Sequence, residues 1–203
     1  MNAACAILAA GRSERMGSPK PLLALDGKTL LERALAATRD FPTILVVAPN
    51  LRAYIAPRPN LQIVINDAAE RGMSHSLRLA DARLADRGAS LAVLLVDTPL
   101  VDAALLRRVL EARGEADVAY PVRAGVAGHP VVFGPRPRSA IAQLPDGDTL
   151  RGLRDDPRWR RVGVPESGPA PYVDVDTPAD LARLAVALAE TTPVETPSPE
   201  SKL

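Results

Sequence analysis

The stretch that decides the fold is Ala4-Cys5-Ala6-Ile7-Leu8, followed by the three small residues Ala9-Ala10-Gly11. Its first five side chains are all apolar, which is typical of a strand buried on both faces of a parallel sheet. The next three residues have almost no side chain, so a ligand can approach the backbone there. Because open α/β sheets bind ligands at the carboxyl ends of their strands, this stretch predicts an α/β fold and the place of its site.

Similar apolar runs recur along the chain, at residues 43–47, 61–65 and 91–96. Between them, apolar residues follow one another at intervals of three and four, the spacing of helices that bury one stripe on a sheet. The alternation of the two patterns predicts a Rossmann-like, three-layer α/β/α fold with a mainly parallel sheet.

The second half of the chain is less regular. Residues 118–122, 131–133 and 161–164 have the composition of strands, and residues 139–144 that of a helical turn. We expect a single domain over residues 1–190. From 191 to 203 proline, threonine, serine and glutamate dominate, so we expect a disordered tail there.

Polar residues ahead of the helical patterns are candidate N-caps. Asp102 precedes a helix that begins at Ala103, and Ser74 or Ser76 could cap the helix before it. Thr177 followed by proline at the first helical position predicts the start of the last helix.

The bulk composition excludes several classes of function. The 203 residues carry a formal net charge of +1, so we expect neither a nucleic-acid partner nor an anionic membrane surface. A single cysteine, Cys5, excludes an intramolecular disulfide and a Cys-based zinc cluster, and its apolar surroundings predict a core residue. No apolar run approaches the ~20 residues that span a bilayer, and we expect a cytoplasmic protein.

The loop after the first run combines glycines with basic residues. Gly11 and Gly17 permit a positive φ, so consecutive N–H groups can converge on an anion. Arg12, Arg15 and Lys20 bring positive charge to the same loop. This combination predicts a site for a polyphosphate.

Two familiar phosphate loops do not match this one. Five residues rather than four separate Gly11 from Gly17, and Ser18-Pro19 stands between Gly17 and Lys20, so the P-loop ending is absent. No Gly-x-Gly-x-x-Gly occurs here, which argues against a Rossmann dehydrogenase. An arginine-rich surface turn without a ligand is the alternative interpretation.

Aspartates follow two of the predicted strands. Asp97 comes directly after the run 91–96, where a carboxylate would face the same crevice as the basic loop and could hold Mg²⁺ shared with phosphates. The alternative for Asp97 is an Asx-turn. Asp174 and Asp176 stand at i and i+2 in a short predicted strand before the last helix, so their side chains should point the same way. The alternative for Asp176 is a helix cap.

Five segments together resemble the MobA-like nucleotidyltransferases. Leu8 to Lys20 matches the family's opening signature, which runs Leu-Ala-Ala/Gly-Gly, a short variable stretch, Arg-Met-Gly and Pro-Lys. Val96 to Pro99 and Asp174 to Asp180 match its two aspartate motifs, and Arg71 to Arg78 is similar to its second nucleotide segment. Gly125 to Phe133 resembles a stretch of the molybdenum cofactor cytidylyltransferase branch.

The resemblance implies a nucleotidyltransferase fold and a set of site residues. The implied catalytic residues are Lys20, Arg15 and Asp97, and the implied Mg²⁺ ligands are Asp97 and Asp176, with Asp176 favoured over Asp174. Gly128, His129 and Pro130 would border the acceptor, although the same residues also fit a plain hairpin turn. The implied nucleotide-binding residues are Leu8, Ala9, Ala10, Gly11, Arg12, Ser13, Lys20, Asn66, Met73, Ser74 and Ser76.

The implied reaction is in-line attack by a terminal phosphate of the acceptor on the α-phosphorus of a nucleoside triphosphate. Such a nucleophile is already ionised, so no general base is needed, in keeping with only two histidines in the chain. The favoured donor is CTP and the favoured acceptor a molybdopterin-type phosphate, with a molybdoenzyme as the receiver of the product. Ala10 supports CTP because relatives that use GTP tend to have glycine there.

Several alternatives stay open at this point. The closest is a guanylyltransferase on the same cofactor, and a sugar or polyol phosphate is another possible acceptor. A protein of a different class would bind the cofactor and deliver it without catalysis. Retention of Lys20, Asp97 and Asp176 counts against that class, because storage alone needs no metal-bridged triphosphate.

Overall fold

A computed structural model describes residues 2–11, 13, 16–86 and 88–191 of the chain. In that part of the chain the strands are β1 (Ala3–Ala9), β2 (Ala24–Leu25), β3 (Lys28–Thr29), β4 (Thr43–Val47), β5 (Leu61–Ile65), β6 (Ser90–Leu95), β7 (Val118–Arg123), β8 (Val126–Ala127), β9 (Val131–Phe133) and β10 (Arg161–Pro165). The helices are α1 (Leu30–Ala37), α2 (Met73–Arg83), α3 (Ala103–Arg113), α4 (Pro135–Ile141), α5 (Leu150–Asp155) and α6 (Pro178–Thr191).

Eight of these strands form one sheet, and β2 and β3 form a separate hairpin. The order in the sheet is β10-β7-β9-β6-β1-β4-β5, with β8 paired to β7. Strands β6, β1, β4 and β5 run parallel, as do β7 and β10, whereas β9 runs antiparallel to both of its neighbours. The predicted α/β fold with a mainly parallel sheet is confirmed.

Alternate side chains of β1 lie on opposite faces of the sheet and join two separate cores. Cys5 and Ile7 pack in the core that α1, α3 and α6 cover. Ala6 and Leu8 pack in the core that α2, α4 and α5 cover. Such division of a strand between two layers follows from its two-residue period. Cys5 is fully buried, as predicted, and burial raises the pKa of its thiol.

The ends of the helices test the predicted caps. Asp102 accepts a hydrogen bond from the backbone N–H of Leu105 at 2.8 Å, which confirms it as the cap of α3. The Thr177 hydroxyl accepts a hydrogen bond from the N–H of Asp180 at 3.2 Å and so caps α6. The prediction for α2 is wrong, because the helix begins at Met73 and its N-cap is Gly72, with a φ of 85°.

The structure departs from the sequence predictions most in the second half. The helix expected over residues 139–144 spans Pro135–Ile141 instead, because a proline is well placed in a first helical turn. No strand forms at residues 174–176, where the backbone is tied to the tip of β6 by one hydrogen bond, from the Val175 N–H to the Asp97 carbonyl at 2.9 Å.

The predicted tail lies almost wholly outside the described residues. Helix α6 extends through Thr191, the residue at which the tail was expected to begin, and residues 192–203 are not described. None of the helices in the described ranges combines the length and the apolar character that crossing a membrane requires.

Candidate active site

The carboxyl ends of β1 and β6 open onto a cavity of about 510 Å³. Because the two strands are adjacent and parallel, the loop after β1 and Asp97 after β6 meet at the same edge of the sheet. The predicted site residues that line this nucleotide-side cavity are Leu8, Ala9, Ala10, Gly11, Ser13, Lys20, Met73, Ser76, Asp97 and Asp176.

The loop after β1 is shaped by Ser13, which has a φ of 53° and whose hydroxyl accepts a hydrogen bond from the Lys20 N–H at 3.0 Å. This bond closes the loop and fixes the start of the lysine side chain. Apart from its chain neighbours, no described residue has an atom within 4 Å of the position that a Cβ on Gly11 would take, so on that side the backbone is open. A ligand can therefore reach the backbone at Gly11.

Lys20 joins the two aspartates that the sequence separates widely. Its Nζ lies 3.2 Å from Asp97 Oδ2 and 2.9 Å from Asp176 Oδ1. The lysine side chain is only 12% exposed, against 27% for Asp97 and 43% for Asp176. Two carboxylates and one ammonium group therefore meet at the floor of the cavity.

The alternatives for these aspartates can be judged from the contacts. Asp97 directs Oδ2 to Lys20, and its buried Oδ1 has no hydrogen-bond partner among the described residues, so its side chain forms no Asx-turn there. Thr177, and not Asp176, supplies the oxygen that caps α6. Both carboxylates face the cavity.

The donor set suits a hard divalent cation. Mg²⁺ is commonly held by one or two carboxylates together with water and substrate phosphates. Within the described ranges no three His, Cys, Asp or Glu side chains are grouped closely enough to hold a metal by themselves. Asp97 and Asp176 could thus supply two oxygen ligands to such an ion, and Oδ1 of Asp97 has no other partner within the described ranges.

Asp174 faces a different cavity from Asp176, contrary to the expectation that their side chains point the same way. Because the segment is not a strand, it does not impose the two-residue alternation. Partial burial, reinforced by the negative charges of Asp97 and Asp176, raises the pKa of Asp174 to about 6 despite the opposing effect of Lys20.

The second predicted nucleotide segment, residues 71–78, contributes side chains of α2 to the same cavity. Met73 and Ser76 line the nucleotide-side cavity, and the Ser76 hydroxyl accepts a hydrogen bond from Asn66 Nδ2 at 2.9 Å. Asn66 itself lines a neighbouring cavity that shares Ala10 and Gly11 with the first. Ser74 is buried, and its hydroxyl has no partner among the described residues.

A further cavity of about 330 Å³ adjoins the first and contains Gly128 and His129. The two cavities share Met73 and Leu95. A Cβ on Gly128 would lie 2.4 Å from the Pro171 carbonyl oxygen, so only glycine allows this close backbone approach. Pro130 is buried beside them and does not line this acceptor-side cavity.

His129 has one nitrogen available for a ligand. Nδ1 of the ring is buried and has no hydrogen-bond partner among the described residues. Burial lowers the pKa of His129 to about 4. The positive charge of Arg154 acts in the same sense, and the negative charge of Asp97 opposes it. The ring is therefore neutral at pH 7, and Nδ1 is a hydrogen-bond acceptor if Nε2 carries the proton.

Four polar residues of the acceptor-side cavity were not predicted from the sequence: Thr149, Arg151, Arg154 and Tyr172. Arg154 is held by Asp155 through two hydrogen bonds of 2.8 Å and lies over the Tyr120 ring at 5.2 Å from its centroid. The Tyr172 hydroxyl is buried without a partner in the described part of the chain. No motif marks these residues, because they come together only when α5 packs on the sheet.

Two predicted site residues cannot be placed. Arg12 and Arg15 lie outside the described residues, so the expected contacts of these side chains with phosphate remain predictions. Lys20 is accordingly the cation of the loop for which the structure gives contacts.

Comparisons with known proteins agree with this geometry. Residues 5–161 match the model of the MobA-like NTP transferase domain. The chain is 31% identical to a molybdenum cofactor guanylyltransferase of Xanthomonas euvesicatoria over 182 residues, covering 88% of this chain and 92% of that protein. It is 33% identical to 2-C-methyl-D-erythritol 4-phosphate cytidylyltransferase of Thermus thermophilus over 187 residues, covering 85% and 83% of the two chains.

Solved structures show the same likeness. The crystal structure of Rv0371c from Mycobacterium tuberculosis is 29% identical, with a TM-score of 0.80, and covers 92% of this chain and 98% of its own. Rv0371c has also been solved in complex with manganese, with a TM-score of 0.74 to this chain. Given the extent of these matches and the cavity at the end of β1, the chain belongs to the MobA-like NTP transferase family and is a nucleotidyltransferase.

Proposed function

We propose that this enzyme moves CMP from CTP to the terminal phosphate of a molybdopterin-type cofactor and releases pyrophosphate. The observation that carries the proposal is the meeting of Lys20, Asp97 and Asp176 beside the glycine-bearing loop. A triphosphate needs both a cation and a place for a divalent ion, and this cavity offers both.

Different residues of the cavity would bind different parts of the triphosphate. Lys20 stands where it can neutralise charge on the triphosphate, and the open backbone at Gly11 leaves room for the nucleotide. Met73 and Ser76 form the opposite wall and would hold base and ribose. Asp97 and Asp176 would hold Mg²⁺, which would supply positive charge to offset that of the phosphates.

The acceptor would lie in the adjoining cavity, with its phosphate directed toward Met73 and Leu95, which the two cavities share. Gly128, His129 and Pro130 form or support its floor. No side chain has to remove a proton, because a phosphate is already an anion at neutral pH. Orientation and charge neutralisation would then supply most of the rate acceleration.

CTP is proposed over GTP because Ala10, and not glycine, lines the cavity at the end of β1. The methyl group narrows the space beside the base, a difference that binding energy reads only modestly. The name of the Xanthomonas relative favours GTP, and that of the Thermus relative favours a polyol phosphate acceptor. The experiment therefore includes GTP as a donor and a polyol phosphate as an acceptor.

The experiment measures pyrophosphate released with Mg²⁺, one triphosphate and one acceptor at a time. CTP or GTP is paired with purified molybdenum cofactor or with 2-C-methyl-D-erythritol 4-phosphate. We expect the fastest release with CTP and the cofactor. Faster release with GTP or with the polyol phosphate would replace that choice, and triphosphate binding without release in any pair would indicate a non-catalytic carrier.

A matched pair of variants ties the activity to the site. Lys20→Ala should abolish pyrophosphate release, whereas Lys28→Ala should leave it near the level of the unaltered protein. Lys28 has the same charge but is exposed in the hairpin of β2 and β3, and it lines none of the cavities described above. Equal activity of the two variants would remove Lys20 from the proposed site.

A further inference from the structure

The N-terminal end of α2 has no side-chain cap of its own, so contacts from another segment hold it in place. Its N-cap, Gly72, has no side chain to bind the first N–H groups, and a φ of 85° turns the chain sharply there. Gly72, Met73 and Ser76 all line the nucleotide-side cavity. The positions of these three lining residues therefore depend on the segment that packs against this end of α2.

The segment that packs against this end of α2 is the turn at residues 144–147. Gly147 donates its N–H to the Arg71 carbonyl at 2.9 Å. A Cβ on Gly72 would lie 3.0 Å from the Gly147 Cα, so the two backbones touch. Arg78 from the second turn of α2 donates to the Leu144 carbonyl.

Asp146 is the centre of this contact. Its Oδ2 lies 2.8 Å from Arg71 Nε, and its Oδ1 accepts a hydrogen bond from Arg78. One carboxylate therefore joins the residues on either side of the cavity-lining segment 72–76. Hydrogen bonds from both arginines lower the pKa of Asp146, so it is ionised at neutral pH.

The same turn leads directly into α5. Thr149 caps that helix by accepting a hydrogen bond from the Gly152 N–H, and Thr149 and Arg154 line the acceptor-side cavity. Only two residues separate Asp146 from Thr149. A movement of the segment 72–76 would therefore be passed to α5 through a short, hydrogen-bonded link.

We infer that Asp146 is a positioning residue that links the two cavities, so that nucleotide binding at the segment 72–76 orders α5 on the acceptor side. The inference rests on the proposed function only in taking the first cavity as the nucleotide site. By linkage, a ligand in one cavity should then bind more tightly when the other is filled.

The test uses the full chain with Mg²⁺ and α,β-methylene CTP, which cannot transfer its nucleotide. Calorimetry gives the Kd, and amide hydrogen exchange follows the peptide that contains residues 149–155. In the unaltered protein we expect the nucleotide to slow exchange in this peptide. Asp146→Ala should weaken binding roughly fivefold, the size expected of a partly exposed charge cluster, and should abolish the slowing in α5.

Asp40→Ala is the matched control. Asp40 is 45% exposed against 44% for Asp146 and also contacts two arginines, Arg39 and Arg107. It lies beside α1 and α3, on the other face of the sheet. Loss of this carboxylate should leave both the Kd and the exchange of residues 149–155 as in the unaltered protein.

Asp146→Asn separates positioning from general stability. It retains an oxygen for one arginine and should restore part of the nucleotide-dependent slowing. Normal nucleotide binding and normal slowing in Asp146→Ala would overturn the inference and leave the proposed function standing. Failure of the unaltered protein to bind α,β-methylene CTP or its GTP counterpart would overturn both.

Discussion

The nucleotide-side and acceptor-side cavities share Met73 and Leu95 but differ in how their charged groups are paired. In the first, charged groups from distant parts of the chain pair with one another, as Lys20 does with Asp97 and Asp176. In the second, Arg154 is paired with its neighbour in sequence, while His129 Nδ1 and the Tyr172 hydroxyl have no partner among the described residues.

The difference indicates what each cavity is prepared to bind. Long-range ion pairs hold two carboxylates on one ammonium group, and a polyphosphate with its divalent ion can rearrange these pairs. Buried polar atoms without partners carry a free-energy cost that a hydrogen-bonding ligand removes. The first cavity therefore suits charge chemistry, and the second suits recognition of a polar acceptor.

The largest effect should come from removing charge at the first cavity. Asp97→Asn keeps the size of the side chain but removes a carboxylate charge, and we expect kcat to fall about a thousandfold, the scale of losing one charge-stabilising group. The melting temperature should change little, since Asp97 lies in the loop beyond the carboxyl end of β6 and not within the sheet. Pyrophosphate release and thermal unfolding of the same preparation provide the check, and a kcat within tenfold of normal would contradict the assignment.

A smaller effect is expected from the acceptor side. Arg154→Gln should raise the KM for the acceptor about twentyfold, as loss of a charged hydrogen bond does, while the KM for the triphosphate stays constant. Arg158→Gln is its control, because Arg158 also binds a nearby aspartate and lies over an aromatic ring but is 68% exposed and outside this cavity. Equal changes in the two variants would remove Arg154 from acceptor binding.

The ion pairs of Lys20 predict competition with the metal. Because the ammonium group lies between the two carboxylates, Lys20→Met should raise the affinity for Mn²⁺ in the absence of nucleotide at least about fivefold. Free Mn²⁺ measured by electron paramagnetic resonance gives this affinity directly. Lys28→Met should behave as the unaltered protein, and an affinity that falls in Lys20→Met would show that the lysine does not mask the carboxylates.

The smallest effect concerns stability and pH at His129. The unfolded chain takes up a proton on this histidine near pH 6.5, whereas the folded protein does so only near pH 4, so acidification between these values favours unfolding. Between pH 7 and 5.5 the free energy of unfolding should therefore fall by about 1 kcal/mol less in His129→Gln than in the unaltered protein. Urea unfolding at both pH values measures the difference, and parallel losses would show that His129 is not buried in the neutral form.

The first half of the fold could be predicted from sequence because β1, β4 and β6 are buried on both faces and the edge strand β5 is also a largely apolar run. The runs at 43–47 and 61–65 were placed to the residue, and β6 was placed within one residue. Continuous apolar runs bounded by turns leave little choice of register. The hairpin of β2 and β3 was missed because each strand has only two residues and so carries no period.

The candidate site was predictable where it lies in loops with a fixed spacing. Lys20, Asp97 and Asp176 were expected to meet, and the structure brings them within hydrogen-bond distance. The positions of Thr149, Arg154 and Tyr172, and the contacts of Asp146 with the arginines at either end of segment 72–76, could not be predicted. They depend on how α5 and the turn before it pack on α2. Such packing is a tertiary property that residue spacing does not record.

We expect Lys20 to occupy the position between Asp97 and Asp176 until a triphosphate and its metal bind. A crystal structure with Mn²⁺ and α,β-methylene CTP tests it, with anomalous scattering to locate the ion. We expect to find the ion at Asp97 and Asp176 and the Lys20 ammonium group on a phosphate oxygen. An ion bound elsewhere, or a lysine still between the two carboxylates with the nucleotide in place, would contradict it.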